Sequence, residues 1–476
     1  MFDVAVIGGG VIGATILREL TKYRLNVCLL EKEADVAMGQ SRANSGIVHA
    51  GFDAPVGSLK ATFNVLGNTM MEDYARELGV KFKRNGSLVV AFSEEELKTL
   101  KELKARGELN GVKKLRIISK EELFEIEPSV SKNAVGALLA PTGGIVCPYK
   151  LTVAAVGNAM DNGATLLTEF EVVKIKKGEN AFTITAKDGK SITAKIMINC
   201  AGIYSEEIAK AAGDNSFTVG GRKGEYILLD RECGDFVKHT LFFTPTEKGK
   251  GILVSPTVDG NIILGPTAEQ VSDKNVETSV DGLKDVQEKA AKMCDKVPFG
   301  GTITSFAGTR AYCNIHDFII EESKTVEGLI NCAGIESPGL TSAPAIAKFV
   351  VEDLVSKFFE MVDNLDFDGQ RKPDDFFNNL SVEEKNNIIK ENPAYGKIIC
   401  RCERITEGEI VRAIKTNPPA TNVDAIKRRT RSGMGRCQGG FCQPQVVEII
   451  ARELNIPIEQ VTKSGKGSYL LRGKTK

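Results

Sequence analysis

A glycine-rich turn eight residues into the chain constrains what it can fold into more than any other feature. Phe2–Ile7 is a short apolar run that reads as a strand, and Gly8-Gly9-Gly10-Val11-Ile12-Gly13 follows at once. Ile12, Ile16, Leu17 and Leu20 then recur with the spacing of one helix face. Leu25–Leu30 is a second β-rich run closed by Glu31, 18 positions past Gly13. Strand, Gly-x-Gly-x-x-Gly turn, helix, strand and terminal acid together make the dinucleotide-binding fingerprint. Gly8 permits the tight turn, Gly10 lets the backbone approach a pyrophosphate, and Gly13 lets the helix lie close to the strand. The helix start offers unpaired N–H groups and a positive dipole to phosphate. Glu31 is placed to accept hydrogen bonds from an adenosine ribose.

The fingerprint alone does not separate NAD from FAD. The next segment, Gly39-Gln40-Ser41-Arg42-Ala43-Asn44-Ser45-Gly46-Ile47-Val48-His49-Ala50-Gly51, is small, polar and glycine-rich. It offers hydroxyls, amides and backbone N–H groups to a long ligand running past the pyrophosphate. No second fingerprint occurs downstream. One dinucleotide is expected, which suits a tightly held FAD reduced directly by a small substrate.

Composition narrows the classes. Lys plus Arg and Asp plus Glu both number 62, so a chain-wide attraction to nucleic acid is not expected. With 42% apolar and 26% charged residues the chain is an ordinary globular one, and 476 residues suggest about three domains. No run of 18 apolar residues occurs and the start does not read as a signal peptide, so a cytoplasmic protein without a spanning segment is the expectation, with peripheral membrane association left open. Up to about residue 355 helices and strands mix. Lys195–Asn199 and Gly328–Asn331 are apolar strands that each run into Cys-Ala-Gly. Residues 361–391 carry eight acidic and four basic residues and read as a linker with one helix. Residues 397–476 are basic, with 16 Lys and Arg against 7 Asp and Glu, and read as a small separate domain with a polar tail.

The 11 cysteines divide in the same way. Seven are scattered singly and read as core thiols; Cys400, Cys402, Cys437 and Cys442 fall within 43 residues. An odd total argues against a disulfide framework. Four soft thiolates suit zinc or an iron–sulfur cluster, and C-x-C with C-x4-C is not the paired CxxC usual for zinc. With Gly433-Met434-Gly435-Arg436-Cys437-Gln438-Gly439-Gly440-Phe441-Cys442, the set resembles the bacterioferritin-associated-ferredoxin-like [2Fe-2S] domain. Thr406-Glu407-Gly408-Glu409 predicts a capping box opening one helix, and Pro444 the first turn of another, with Cys442 at its start. The adjacent Lys427, Arg428, Arg429, Arg431 and Arg436 are read as balancing an anionic cluster or docking an acidic redox partner.

Residues 1–355 resemble the glycine-oxidase/sarcosine-oxidase (DAO-type) family of FAD-dependent oxidoreductases, in its glycerol-3-phosphate dehydrogenase and L-2-hydroxyglutarate dehydrogenase branch. The resemblance is carried by the fingerprint, Asn44–Gly51, Asn199–Gly202, Lys223-Gly224-Glu225-Tyr226, Gly265-Pro266-Thr267-Ala268, Phe306-Ala307-Gly308-Thr309-Arg310 and Gly334–Thr341. It implies an α/β fold: a Rossmann-like FAD-binding domain (1–80, 145–215 and 301–360) interleaved with an antiparallel-sheet substrate domain (81–144 and 216–300). A linker (361–395), the helical [2Fe-2S] domain (396–455) and a polar tail (456–476) follow. It also implies cofactor contacts from Gly8, Gly10, Gly13, Glu31, Ser41, Asn44, Ser45, Gly46, Val172, Ala201, Gly202, Gly334, Gly339, Leu340 and Thr341.

In the resembling enzymes the histidine at the position of His49 lies beside the flavin, and the arginine at that of Arg310 contacts the substrate anion. A histidine suits removal of an alcohol proton; contact with the cofactor, or covalent attachment to it, are the other roles open to His49. The Arg310 guanidinium can hold a carboxylate or phosphate with two parallel hydrogen bonds. Lys250, flanked by Gly249 and Gly251, is a second candidate cation, and Tyr226 a residue to close the pocket. The expectation is a two-cofactor enzyme: a small anionic substrate reduces FAD, and electrons leave through the [2Fe-2S] centre to a partner subunit. The resemblance points to sn-glycerol 3-phosphate as substrate. L-2-hydroxyglutarate, an amine, and a non-catalytic electron-transfer role are the alternatives.

Overall fold

The computed structural model describes residues 1–245, 251–271, 274–374 and 376–473. The elements that carry the argument are, in chain order, β1 (Phe2–Ile7), α1 (Val11–Leu20), β2 (Val27–Leu30), α2 (Leu59–Glu77), β3 (Ser191–Asn199), β4 (Val219–Leu229), β5 (Thr302–Cys313), β6 (Leu329–Ala333), α3 (Gly339–Phe349), α4 (Glu407–Lys415), α5 (Val423–Thr430) and α6 (Gln443–Leu454).

β1 lies between β2 and β3 with parallel pairing on both sides, and β6 runs parallel to β3. Parallel strands covered on both faces read as unbroken apolar runs, and Val4–Ile7 and Val27–Leu30 are buried throughout. A ligand crevice forms at the carboxyl ends of such strands. The Gly8 turn, Glu31, Cys200 and Gly334 all stand at those ends, after β1, β2, β3 and β6. The helix face read from Ile12, Ile16, Leu17 and Leu20 is that of α1, which begins at Val11, straight out of the glycine turn.

A nine-stranded sheet, antiparallel in all but one of its pairings, forms the second layer of the fold. Its longest ladder joins β4 to β5 and sets Arg222 opposite Arg310 and Tyr226 opposite Phe306. Behind it Leu88, Val90, Leu229, Leu241, Val254 and Leu264 make one apolar cluster with Val286, Ala290 and Met293 of the helix Val280–Met293. α2 and α3 pack so closely that a Cβ on Gly67 would stand 2.1 Å from the Thr341 carbonyl oxygen.

α4, α5 and α6 bury Ile410, Ile414, Ile426, Val446, Ile449 and Ile450 in a separate core. The capping box at Thr406 is formed: Glu409 N–H donates to Thr406 Oγ1 at 3.3 Å, and Thr406 N–H donates to Glu409 Oε2 at 2.9 Å. α6 carries Pro444 in its first turn, with Cys442 as its N-cap. Residues 361–391 contain the helix Val382–Glu391. Among the described residues no helix is long and apolar enough to cross a membrane.

The basic stretch at 427–436 is largely turned inward, not outward as its composition suggested. Arg428, Arg429 and Arg431 are buried. Arg429 grips Asp35 with two hydrogen bonds of 2.9 Å, and Arg428 Nη2 donates to the same carboxylate at 2.5 Å. Arg431 reaches Asp259, Asn261 and Glu403. Arg436 is exposed and pairs with Glu232 and Asp230. Long arginine side chains beside acids of another element are drawn into bidentate pairs. Through Asp35 and Asp259 they tie α5 and the residues after it to the rest of the protein.

Candidate active site

The crevice at the strand ends is a cavity of about 930 Å³. Gly8, Gly10, Glu31, Ser41, Ala201 and Gly202 line it together with Asn44, Ser45, Val172, Gly339 and Leu340. His49, Tyr226 and Arg310 line the same cavity.

Gly8 takes φ +108°, and a Cβ there would stand 2.4 Å from the Cys200 carbonyl oxygen. Only glycine gives both the left-handed turn and the approach. Gly10 caps α1 with no side chain, so the helix start stays open to an anion. The Val11 N–H donates to Ser41 Oγ at 2.9 Å. Glu31 is 8% exposed and accepts from Gly9 N–H at 2.7 Å and from Glu33 N–H at 2.9 Å. Burial pushes its carboxyl up to about 7, and the two backbone donors oppose the shift.

Gly13, Gly46, Gly334 and Thr341 stand behind the cavity wall rather than on it. A Cβ on Gly13 would lie 2.1 Å from the Gly8 oxygen, so this residue sets the approach of α1 to β1. Gly46 backs onto Val146, and Gly334 onto Cys313. Thr341 is fully buried; its Oγ1 accepts from the His49 N–H at 2.9 Å. Lys250 lies outside the described residues.

His49 is held from several sides. Its carbonyl accepts from Asn64 at 2.8 Å and from Asn68 at 2.9 Å, and its ring lies 5.8 Å from that of Phe242. Nε2 sits 3.2 Å from Ser337 Oγ. The Arg310 Nη2 donates to the Thr267 carbonyl at 2.8 Å, while its Nε is buried with no hydrogen-bond partner among the described residues. Tyr226 is 4% exposed and stacks on Phe306 at 4.9 Å; burial raises its phenol, which the nearby Arg310 charge opposes.

Sequence reasoning passed over Ser337, Lys60, Glu336 and Arg222, which also line the cavity. Lys60 Nζ lies 3.1 Å from Glu336, and Arg222 Nη1 3.6 Å from the same carboxylate. Ser337 and Glu336 lay within a motif already singled out, whereas Lys60 and Arg222 have no local signal. Their place is set by α2 and by the β4–β5 register.

The four clustered cysteines fall into two pairs. Cys402 Sγ and Cys437 Sγ are 3.7 Å apart, with Cys402 exposed. Cys400 and Cys442 are 1% and 3% exposed and share a hydrogen bond. That bond holds the Cys400 thiol down at about 6, against its burial, and drives Cys442 the other way. Among the described residues no three such side chains converge on a single point as one zinc ion requires. Two thiol pairs fit a two-iron cluster, whose irons take two protein ligands each. Glycines free the backbone around them: a Cβ on Gly435 would stand 2.3 Å from that of Cys402.

Fold, cavity and thiol pairs define an FAD-dependent oxidoreductase with an attached iron–sulfur domain. The chain belongs to the FAD dependent oxidoreductase family, which it matches over residues 3–353, and it carries a BFD-like [2Fe-2S] binding domain over residues 398–452. Its cofactors are FAD and a [2Fe-2S] cluster. It is similar to the glycerol 3-phosphate dehydrogenase of Caloramator mitchellensis, at 48% identity over 480 residues covering 100% of this chain and 99% of the relative. It is also similar to the glycerol 3-phosphate oxidase of Mycoplasma genitalium, at 33% identity covering 74% of this chain and 94% of the oxidase. Among solved structures, the dithionite-reduced L-alpha-glycerophosphate oxidase of Mycoplasma pneumoniae with FAD bound superposes with a TM-score of 0.75 at 30% identity, covering 78% of this chain and 98% of that one.

Proposed function

We propose that the protein is an FAD-dependent glycerol-3-phosphate dehydrogenase that oxidises sn-glycerol 3-phosphate to dihydroxyacetone phosphate. The observation that carries the reading is that His49 and Arg310 line the same cavity as the Gly8–Gly10 turn and Glu31. A group for an alcohol proton and a group for an anion thereby open onto the dinucleotide site. The full-length similarity to a glycerol 3-phosphate dehydrogenase supports the substrate.

FAD and the [2Fe-2S] cluster, when bound, would supply the redox chemistry, a hydride acceptor and a one-electron carrier. The remainder falls to the chain. Gly8, Gly10, the start of α1 and Glu31 would hold the nucleotide, and Gly339 and Leu340 begin α3 on the same cavity, where a helix N-terminus would favour negative charge on the group held there. Arg310 holds the substrate phosphate with the donors left beside its bond to Thr267. His49 takes the C2 hydroxyl proton on Nε2. Ser337 orients the ring from 3.2 Å, while Thr341, Asn64 and Asn68 fix its backbone. Tyr226 and Phe242 keep water from the reacting carbon.

The oxidase of M. genitalium has little chain beyond its matched 94%. The C-terminal domain here is therefore chain that such an oxidase does without, which favours delivery of electrons to a redox partner. The reading places the enzyme in the cytoplasm. The test is anaerobic mixing of holoenzyme with sn-glycerol 3-phosphate or with L-2-hydroxyglutarate, following flavin absorbance. Bleaching by the phosphate alone is expected, and a loss of about 10²–10⁴-fold in its rate for His49→Asn with FAD still bound. Bleaching by the dicarboxylate alone overturns the substrate assignment, and an unchanged rate in the variant overturns the role of His49.

A further inference from the structure

The two thiol pairs give the cluster site an inner and an outer edge. Cys400 and Cys442 belong to the core of the C-terminal domain, while Cys402 is exposed and Cys437 half-exposed. Any electron leaving to another protein has its shortest way out on the Cys402–Cys437 side. What stands there is unusual for a solvated surface. Phe441, directly before Cys442, is 84% exposed. Arg401 and Arg404, which flank Cys402, are exposed and form no ion pair among the described residues.

All three lie within two residues of a cluster cysteine. The neighbouring acids do not offset the two arginines. Glu403 is buried beneath Arg431 and Arg231, and Glu232 and Asp230 are taken up by Arg436. The Phe441 backbone hydrogen-bonds Cys437, which meets Cys402, so a large exposed apolar ring and the unpaired guanidinium groups flanking Cys402 stand at one thiol pair, the composition of an interface core and its rim. Aromatic residues and arginine are enriched there. Residues 427–431, the richest basic run in the sequence, are not available for this purpose, because Arg428, Arg429 and Arg431 are buried in internal pairs.

We propose that Phe441, Arg401 and Arg404 form the docking face for a separate one-electron acceptor protein with an acidic surface. Phe441 supplies the desolvated contact at the outer edge of the cluster, and the two arginines steer the acceptor and set its orientation. The proposal rests on the reading that substrate electrons reach the cluster. Charge complementarity chooses the acidic partner: unpaired cations at a contact raise encounter rates with an oppositely charged protein and suppress those with a like-charged one.

The test uses holoenzyme, substrate and two haem-protein probes of opposite surface charge, acidic cytochrome b5 and basic cytochrome c. Binding is measured by calorimetry and reduction by haem absorbance, at about 10 mM and about 150 mM salt, where the Debye length is roughly 30 Å and 8 Å. Cytochrome b5 is expected to bind and be reduced faster at low salt, with a loss of about tenfold or more in Arg401→Gln/Arg404→Gln. Arg401→Glu/Arg404→Glu is expected to reverse the preference toward cytochrome c, and Phe441→Ser to weaken reduction of cytochrome b5 at both salt levels. Flavin bleaching and cluster reduction by substrate, and electron delivery to neutral benzoquinone, are expected to be unchanged in every variant.

Equal reduction of cytochrome b5 by wild type and variants, or a rate insensitive to salt, overturns the docking face while leaving the electron path intact. So does a wild-type dimer in ultracentrifugation that Phe441→Ser dissolves, since the face would then belong to a second copy. A wild-type cluster that substrate never reduces overturns the electron path itself and the docking role with it.

Discussion

Asp35 and Arg429, 394 positions apart, meet in a buried fork of two 2.9 Å hydrogen bonds. Asp35 follows the strand that ends at Leu30, and Arg429 lies on α5 of the iron–sulfur domain. One carboxylate thus joins the nucleotide-binding loop to the domain that carries the second cofactor.

Removing that charge leaves two buried guanidinium groups without their counter-charge, with Arg429 keeping the Pro418 and Ala425 carbonyls. Asp35→Asn is expected to destabilise the protein by about 3–5 kcal/mol, read from denaturation of the holoenzyme. Burial alone would raise the Asp35 carboxyl, but Arg429 and Arg428 outweigh it and hold it at about 2, against an ordinary 3.8. A depressed carboxyl contributes stability above its unfolded pKa. The contribution is present above about 4 and is lost as pH falls through about 2. A variant as stable as wild type, with the same acid sensitivity, would contradict this.

Glu31 has the opposite sign. Its folded pKa of about 7 lies above the ordinary 4.5, so the FAD-free protein binds an extra proton there over that interval. Stability of the apoprotein is expected to fall as pH rises from about 4.5 to about 7. Glu31→Gln should flatten this part of the melting profile and release FAD more readily. An identical pH profile in the two apoproteins counts against the burial argument.

Arg310 should act on substrate binding more than on folding. Each hydrogen bond to a charged group contributes about 1.5–3 kcal/mol, so Arg310→Met is expected to raise the KM for sn-glycerol 3-phosphate by about 10–100-fold. Arg310→Lys keeps the charge but loses the fork and should fall between. Steady-state kinetics with an artificial acceptor decide it; a KM unchanged in both variants removes Arg310 from the anion site.

Loss of one outer thiol should separate the two cofactors. Cys402→Ser is expected to abolish the paramagnetic signal of the reduced cluster while the substrate still bleaches the flavin. Cys233→Ser, at a thiol far from the four in the sequence, should keep both signals. A Cys402→Ser protein with a normal cluster spectrum would exclude the assigned ligand set.

Several parts of this protein were determined by sequence alone, because their physics is local. The Gly8–Gly13 turn, the acid that closes β2, the Thr406–Glu409 capping box and the C-x-C pair each act over a few residues or one strand–helix–strand unit. The spacing therefore carries the chemistry. The tertiary structure decided what depends on distant partners. It turned Arg428, Arg429 and Arg431 inward onto Asp35, Asp259 and Glu403, which no composition count distinguishes from a free basic surface. It set Ser337 beside His49 across 288 positions and brought Arg222 opposite Arg310 through a strand register. It also divided four equivalent cysteines into a buried pair and an outer pair. Burial and charge pairing arise only when separate elements pack, so a residue's type and neighbours in the chain name its chemistry but not the side of the protein on which that chemistry acts.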